Sequence, residues 1–224
     1  MIITVKPAGM LVQGDRSGDE SLNDIIKKFV KEKFNKQGNV YVGLIHRLDR
    51  PTSGIVCFAK TSKAAARLSK QFQCKKVEKS YLAIVQGNVP ESGTYEDKIL
   101  KIETNSFLSE KGKIALLSFQ KIANIDNYSL IKIDLKTGRH HQIRVQFASR
   151  GFPVIGDFRY GSITKFPNQS IGLHAYALTV SHPISNEKMT FYSNPGENWP
   201  NYFRNESKDL IDAEKFDTNC RSKE

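Results

Sequence analysis

The chain has little cysteine. Its 224 residues include only Cys57, Cys74 and Cys220, an odd number without the spacing of a metal site. A disulfide framework and a cysteine-ligated metal are therefore not predicted. No apolar run approaches the roughly 18 to 20 residues that cross a bilayer, and no secretory signal is readable. From these absences we expect a reduced, cytoplasmic protein without a membrane partner.

Nucleotide-binding loops and metal-ligand clusters are also missing from the sequence. There is neither a glycine-rich dinucleotide loop nor a Walker-type phosphate loop, so we expect no nucleotide cofactor. The five histidines include the adjacent pair His140 and His141, but no pair stands at helical ligand spacing beside a second ligand group. We therefore expect no metal.

Acidic residues are outnumbered. The chain has 34 Lys and Arg against 23 Asp and Glu, a formal net charge of +11 and a sequence pI near 9.5. This surplus favours a polyanionic partner, either nucleic acid or a membrane surface. Hydrophobic residues make up 39% of the chain, in periodic blocks, which is typical of a folded domain rather than a disordered chain.

Strand-like segments outnumber helical ones. Apolar spacing predicts a helix over 22–34, where Ser21 and Asp24 form a capping-box pattern, and a second helix from Ser62 with a basic outer face. Strands are predicted at 1–5, 40–45, 55–59, 79–87, 114–122, 128–135, 171–181 and 188–192. This pattern favours an α+β fold on an extended sheet. We expect one domain over residues 1–204 and a polar, flexible tail over 205–224.

The segment 43–61 concentrates charge between two apolar strands. It reads GLIHRLDRPTSGIVCFAKT, with Asp49 between Arg47 and Arg50 and a turn at 51–54. Nearby positive charges favour the ionised form of a carboxylate. Such a carboxylate suits a nucleophile or an electrostatic stabiliser at a sugar carbon that develops positive charge. The alternative is that Asp49 only caps the turn and pairs with its arginines at the surface.

Motifs along nearly the whole chain, to about residue 192, resemble one family. The segment 46–54 (HRLDRPTSG) is similar to the active-site signature of the RluA family of RNA pseudouridine synthases. Further blocks follow in the family's order: 79–83 (KSYLA), 137–144 (TGRHHQIR), 151–157 (GFPVIGD), 160–161 (YG), 173–175 (LHA) and 182–183 (HP), with 6–9 (KPAG) as the opening block.

The resemblance implies an enzyme that detaches uracil from C1′ of a uridine in RNA, turns it, and rejoins it through C5 without a cofactor. It implies a pseudouridine synthase fold with a central mixed, largely antiparallel sheet. Asp49 matches the catalytic aspartate, Tyr81 the active-site tyrosine that packs against uracil, and Arg144 the arginine paired with the carboxylate. Arg47 matches the arginine that helps displace the target nucleotide.

The remaining candidate residues and the open alternatives concern the same blocks. We expect four further residues to contact the RNA or the base: His46, Arg139, Gln142 and Arg50. From the residues alone, Tyr81 also fits an ordinary core position and Arg144 a solvated helix position. Arg139 also fits a position in a surface turn, and Arg47 also fits a role in which it only neutralises the charge of Asp49.

The sequence therefore predicts an RNA pseudouridine synthase that acts as a monomer on structured ribosomal or transfer RNA and flips the target uridine out of its stack. The family often has an S4-type RNA-binding module before the catalytic domain, and no such module precedes the first catalytic block here. We thus expect the loop over 105–113 to contribute to target selection. The rivals are a non-catalytic RNA-binding protein and an enzyme that cleaves a nucleoside or another glycoside.

Overall fold

The structure is a computed structural model that describes residues 1–221. These described residues form four α-helices and ten strands. The helices are α1 (Leu22–Lys33), α2 (Ser62–Gln73), α3 (Gln142–Ala148) and α4 (Asn201–Arg221). The strands are β1 (Ile2–Lys6), β2 (Gly43–Leu44), β3 (Ser53–Ala59), β4 (Glu78–Gln86), β5 (Ser92–Ile102), β6 (Asn105–Leu108), β7 (Lys113–Ile125), β8 (Tyr128–Leu135), β9 (Leu173–Ser181) and β10 (Lys188–Tyr192). No helix among the described residues has both the length and the apolar character needed to cross a membrane.

All ten strands join one sheet. Its main order is β1-β3-β9-β4-β8-β7-β5-β6, while β2 pairs with β3 and β10 pairs with β9. Within residues 1–221, only β3 and β9 run parallel, and every other neighbouring pair is antiparallel. The α+β fold with a mixed, largely antiparallel sheet is thus confirmed.

Glycine is required where β3 meets β9. Gly54 has φ +125°, and a Cβ atom on it would lie 2.4 Å from the backbone N and O of Ala175. Beside it, the Ser53 hydroxyl lies 2.8 Å from His174 Nδ1, and His174 Nε2 lies 3.0 Å from the Ser193 carbonyl. Burial lowers the pKa of His174 to about 4, so the ring is neutral and connects the two strands by hydrogen bonds.

The central strand β4 supplies side chains to both faces of the sheet. Tyr81, Ala83 and Val85 pack with residues of α1 and α3, whereas Leu82 and Ile84 pack on the opposite face. This alternation is the two-residue period of an extended strand. It places Tyr81 on the face that α3 covers, which is the face that carries the site described below.

The structure differs from the predicted strands at three places. The predicted strand 40–45 shortens to Gly43–Leu44, and β5 and β6 were not predicted at all. Along β5 only Ile99 is buried, so its apolar signal is weak, and its backbone is held by pairing with β7 and β6. The predicted loop 105–113 consequently begins with a strand.

The prediction of a flexible tail over 205–224 is wrong for the described residues. Helix α4 begins at Asn201 and runs through the predicted boundary to Arg221. Phe203, Ser207 and Ile211 are buried at four-residue spacing, and the Tyr176 hydroxyl lies 3.0 Å from Glu214 Oε1. The apolar stripe is short and interrupted by serine, which hid its period. Residues 222–224 lie outside the described part of the chain.

Candidate active site

A buried lysine fixes the loop that carries Asp49. Lys6 is fully buried, and its Nζ donates hydrogen bonds to the carbonyl oxygens of Pro7, Met10 and Arg50 at 2.9, 2.8 and 3.0 Å. The Thr52 amide closes a turn onto the Asp49 carbonyl at 3.1 Å. Three carbonyl acceptors compensate the ammonium group for lost solvation. The loop after β2 is therefore held at Asp49 and at the residue that follows it.

Arg144 joins Asp49 to a second carboxylate. Its Nη1 donates to Asp49 Oδ2 at 3.1 Å, while Nε and Nη2 donate to Asp157 Oδ2 and Oδ1 at 2.6 and 2.8 Å. The Arg144 side chain is 5% exposed and that of Asp157 is 1% exposed. The alternative that Arg144 is simply solvated is therefore wrong.

The electrostatics of Arg144 follow from this geometry. Burial alone would lower the pKa of Arg144, but the hydrogen bonds and charges of Asp157 and Asp49 outweigh it and raise that pKa. The guanidinium is thus permanently charged. Asp157 accepts from both donors of the Nε/Nη2 edge, which leaves Nη1 directed at Asp49.

Two histidines lie against the same carboxylate. His141 Nε2 is 3.5 Å from Asp49 Oδ2, and its Nδ1 is 2.7 Å from the Tyr160 hydroxyl. The His140 ring stacks on the His141 ring with centroids 3.7 Å apart. Burial lowers the pKa of His141 to about 3 despite the nearby negative charge of Asp49, so this imidazole is neutral at physiological pH.

Asp49 opens into a cavity of about 310 Å³. The cavity brings together seven of the eight residues that the sequence singled out: Asp49, Tyr81, Arg144, Arg47, His46, Arg139 and Gln142. Its volume is at the lower end of the range for small-molecule sites. The segments that carry these residues are far apart in the sequence, and the sheet gathers them.

Tyr81 forms part of the cavity wall. Its side chain belongs to the buried core, and among the described residues its hydroxyl has no hydrogen-bond partner. Burial, reinforced by the charge of Asp49, raises the pKa of Tyr81 well above its usual range. The phenol therefore stays protonated and is available to a ligand as a donor.

Two predicted contact residues have local structural partners. His46 Nε2 accepts the Cys57 amide at 3.0 Å, and burial together with Lys79 lowers the pKa of His46 to about 3, so Nδ1 carries the only ring proton. Gln142 Oε1 accepts from Thr137 Oγ1 at 2.7 Å and from the Arg139 amide at 3.0 Å. Gln142 thus shapes the 137–139 turn.

The predicted arginines differ in their surroundings. Arg139 Nε donates to the Ile114 carbonyl at 2.8 Å, which anchors this side chain beside the cavity. Arg50 forms an ion pair with Asp19 at 2.7 Å and does not line the first cavity. It lines a neighbouring cavity of about 560 Å³ that shares Asp49 and Arg47 with the first. Five basic side chains line this second cavity against four acidic ones, so its lining is slightly positive, and we call it the basic groove: Arg47, Arg50, Lys101, Arg144 and Arg159 against Asp15, Asp49, Glu103 and Asp157. Asp49 therefore lies between a recessed cavity and a basic groove.

Sequence reasoning missed several residues of the site. The block 151–157 resembles the family, but the sequence predicts no role for Asp157. It also predicts none for His141, Tyr160 or Lys6. Lys79, the first residue of the block 79–83, lines the first cavity with Nζ 3.3 Å from the Thr137 carbonyl. Within residues 1–221, no three His, Cys, Asp or Glu side chains are grouped as a metal site would require.

Comparisons with known proteins show which family the chain belongs to. The family model described as RNA pseudouridylate synthase matches residues 1–149. The chain belongs to the RluA family of RNA pseudouridine synthases. It is 34% identical over 225 residues to tRNA pseudouridine synthase C of Haemophilus ducreyi, covering 91% of this chain and 90% of that protein. It is 33% identical over 190 residues to ribosomal large subunit pseudouridine synthase D of Borreliella burgdorferi, covering 80% and 58%.

A solved structure shows the same fold. Human RNA Pseudouridylate Synthase Domain Containing 4 superposes with a TM-score of 0.74 at 20% identity, covering 91% of this chain and 87% of that one. As a member of its family, this pseudouridine synthase is an isomerase that acts on uridine in RNA.

Proposed function

We propose that this pseudouridine synthase isomerises a uridine in transfer RNA, with Asp49 as the catalytic carboxylate. The observation that carries the proposal is the placement of Asp49 at the junction of the recessed cavity and the basic groove, with one oxygen bound by the buried Arg144. Its side chain is 25% exposed, so a substrate can reach it. A binding protein would not need this buried arrangement.

The chemistry needs no net change in atoms or electrons. The N1–C1′ bond of uridine breaks, the uracil ring turns, and a C5–C1′ bond forms. The C5 proton leaves and N1 gains a proton. Asp49 supports bond breaking in one of two ways. It attacks C1′, with the electron pair of the broken bond going to N1, and leaves C1′ as a carboxylate when C5 bonds to that carbon; or it stabilises the positive charge that develops at C1′. Both routes need a charged carboxylate at the sugar.

Base flipping is part of the proposal. The cavity is recessed, so a uracil stacked in a helix cannot bring C1′ and C5 to Asp49. Extruding a nucleotide costs a few kcal/mol, least in a loop or an imperfect stem. Arg47 is exposed and lines both cavities, a position from which it can fill the space left by the flipped base. The cations of the basic groove attract the phosphates around it.

Transfer RNA is the favoured substrate because the similarity extends over more of the relative named for transfer RNA than of the relatives named for ribosomal RNA. The similarity to tRNA pseudouridine synthase C of Haemophilus ducreyi extends over about nine-tenths of both proteins. The proteins named ribosomal large subunit pseudouridine synthase D match over 52 to 65% of their own length. Ribosomal RNA is the alternative substrate.

A glycoside-cleaving enzyme is disfavoured by the position of the second carboxylate. Such hydrolases use an acidic carboxyl group opposite the charged one. Asp157 is the carboxylate joined to Asp49 through Arg144, but both its oxygens accept from the guanidinium and its side chain is 1% exposed. It cannot deliver a proton to a leaving group in the cavity.

The test is release of tritium from RNA labelled at C5 of uridine. Unmodified transfer RNA transcripts and large-subunit ribosomal RNA fragments are incubated separately with the wild-type protein, and the modified position is mapped in any RNA that reacts. We expect release from transfer RNA. Release from ribosomal RNA alone would overturn the substrate assignment. Salt-sensitive binding without release from either RNA would favour the non-catalytic RNA-binding protein.

A further inference from the structure

A chain of polar contacts runs from strand β6 to Asp49, and its first two links are hydrogen bonds. The Ser106 amide donates to the Tyr160 hydroxyl oxygen at 3.1 Å, and that hydroxyl lies 2.7 Å from His141 Nδ1. His141 Nε2 then faces Asp49 Oδ2 at 3.5 Å. Its members come from a hairpin strand, a 3-10 turn, the start of α3 and the loop before β3.

The two ends of this chain favour one direction for its hydrogen bonds, because the Ser106 amide only donates and the ionised Asp49 carboxylate only accepts. An amide can only donate, so it occupies a lone pair of the Tyr160 oxygen. The hydroxyl proton then lies between Tyr160 and His141, and Nδ1 is the acceptor within reach. If Nδ1 accepts, the single proton of a neutral imidazole resides on Nε2. The opposite tautomer would direct a lone pair of Nε2 at the Asp49 carboxylate, which is repulsive.

We infer that Ser106 and Tyr160 hold His141 as the Nε2–H tautomer, so that His141 acts as a positioning residue that orients Asp49 for attack. This inference rests on the proposed function. Oδ2 of Asp49 then has two donors on it, Arg144 Nη1 and His141 Nε2. Among the described residues nothing donates to Oδ1, which is therefore the oxygen presented to C1′.

The contact between His141 and Asp49 is long for a hydrogen bond in the free protein. Catalytic hydrogen bonds are often long in structures without substrate and tighten in the complex. The rest of the geometry keeps the ring in place. His141 has φ +54°, a left-handed conformation that histidine tolerates better than most residues, and its ring is stacked on His140.

Ser106 serves both histidines. Its amide acts on His141 through Tyr160, and its hydroxyl lies 2.9 Å from His140 Nδ1. A displacement of β6 would therefore disturb both rings. This links the segment in which the sequence predicts target selection to the carboxylate of the site.

The first experiment reads the tautomer directly. Imidazole nitrogen shifts of the ¹⁵N-labelled protein at pH 7 identify the protonated nitrogen, and His141→Asn assigns the His141 signals. We expect protonation at Nε2 in the wild type and loss of that preference in Tyr160→Phe. Protonation at Nδ1, or a charged ring, would overturn the inference. Because no RNA is required, this readout stands apart from the proposed function, which fails if no RNA reacts.

The second experiment separates positioning from packing. Tyr160→Phe removes one hydroxyl and keeps the aromatic ring, whose centroid lies 5.0 Å from Arg144 Cζ. Without this hydroxyl His141 loses its preference for the Nε2–H tautomer, and Asp49 loses a hydrogen-bond donor. A hydrogen bond to a charged acceptor is worth about 10- to 100-fold in rate, so we expect single-turnover tritium release to fall by that factor, with RNA affinity within about twofold of wild type. Tyr128→Phe is the matched control, because it removes a hydroxyl that is hydrogen-bonded to Thr164 and Tyr128 lines neither cavity.

Rescue by a conservative variant completes the test. The side chain of His141→Gln places an amide N–H at a reach similar to Nε2, whereas the shorter side chain of His141→Asn does not. We expect His141→Gln to retain clearly more activity than His141→Asn at similar thermal stability. Equal turnover in wild type, Tyr160→Phe and His141→Asn would overturn the positioning role.

Discussion

The buried pairing of Arg144 with Asp157 makes a strong prediction for Asp157→Asn. The substitution keeps the size of the side chain but removes the charge that compensates a guanidinium only 5% exposed. Breaking a buried ion pair by removing one partner costs about 3 to 5 kcal/mol. For a domain of this size, about 2 to 4 °C is lost per kcal/mol, so we expect the melting temperature to fall by about 6 to 20 °C.

The same substitution should reduce catalysis at temperatures where the variant is folded. Asp157 accepts two of the three hydrogen bonds that Arg144 makes to carboxylates, so its loss frees the guanidinium to leave Asp49. We expect single-turnover tritium release to fall by at least about tenfold, equivalent to about 1.4 kcal/mol, with RNA affinity little changed. Calorimetry and a single-turnover assay on the same sample measure both effects.

Asp97→Asn is the matched control. Asp97 also accepts two hydrogen bonds from one arginine, Arg150, at 3.0 and 3.1 Å, but that arginine is 30% exposed and neither residue lines the cavity. A more exposed pair contributes less, so we expect a smaller loss of stability and an unchanged rate. If Asp157→Asn behaves like Asp97→Asn in both measurements, the reasoning about the buried pair is refuted.

Three further predictions concern the sheet junction, the cavity and the last helix. Gly54→Ala places a Cβ atom 2.4 Å from the Ala175 backbone, so we expect little folded protein in expression trials; a normal denaturation midpoint would contradict this. Burial, together with Arg139, lowers the pKa of Lys79 to about 8, so its positive charge is lost as the pH rises through 8. RNA affinity should then weaken between pH 7 and 9 in the wild type more than in Lys79→Met, and equal slopes would disprove a role for this charge. Phe203→Ala should cost about 3 to 5 kcal/mol in urea unfolding because Phe203 is 4% exposed; a loss below about 1 kcal/mol would mean that α4 packs only loosely.

The strongly apolar strands and the charged blocks were predictable from the sequence. Strands such as β8 and β10 carry apolar residues at strand spacing, and α1 has both its stripe and its capping box. The resemblance of the segment 46–54 and the block 137–144 to one family placed Asp49 and Arg144 in one site. The structure brings them within 3.1 Å across 95 positions of sequence.

The missed features depend on long-range contacts. Asp157 ends the family-like block 151–157, but the block alone does not show that this carboxylate pairs with Arg144, which only the fold brings beside it. Strand β5 is held largely by backbone pairing with β7, which no side-chain period reveals. Helix α4 is anchored by Glu214, which accepts from Tyr176 and pairs with Lys132, and polar anchors of this kind give no hydrophobic signal.

The central claim is that Asp49 performs the chemistry rather than only holding the loop. The most direct measurement compares wild type with Asp49→Asn in single-turnover tritium release from a reactive RNA, alongside the affinity of each protein for that RNA. Asp212→Asn, on the exposed face of α4, controls for the loss of one negative charge. We expect no measurable tritium release by Asp49→Asn, although its affinity for the RNA stays within a few-fold of wild type. We expect Asp212→Asn to match the wild type in both measurements. Release by Asp49→Asn at the wild-type rate would contradict the central claim.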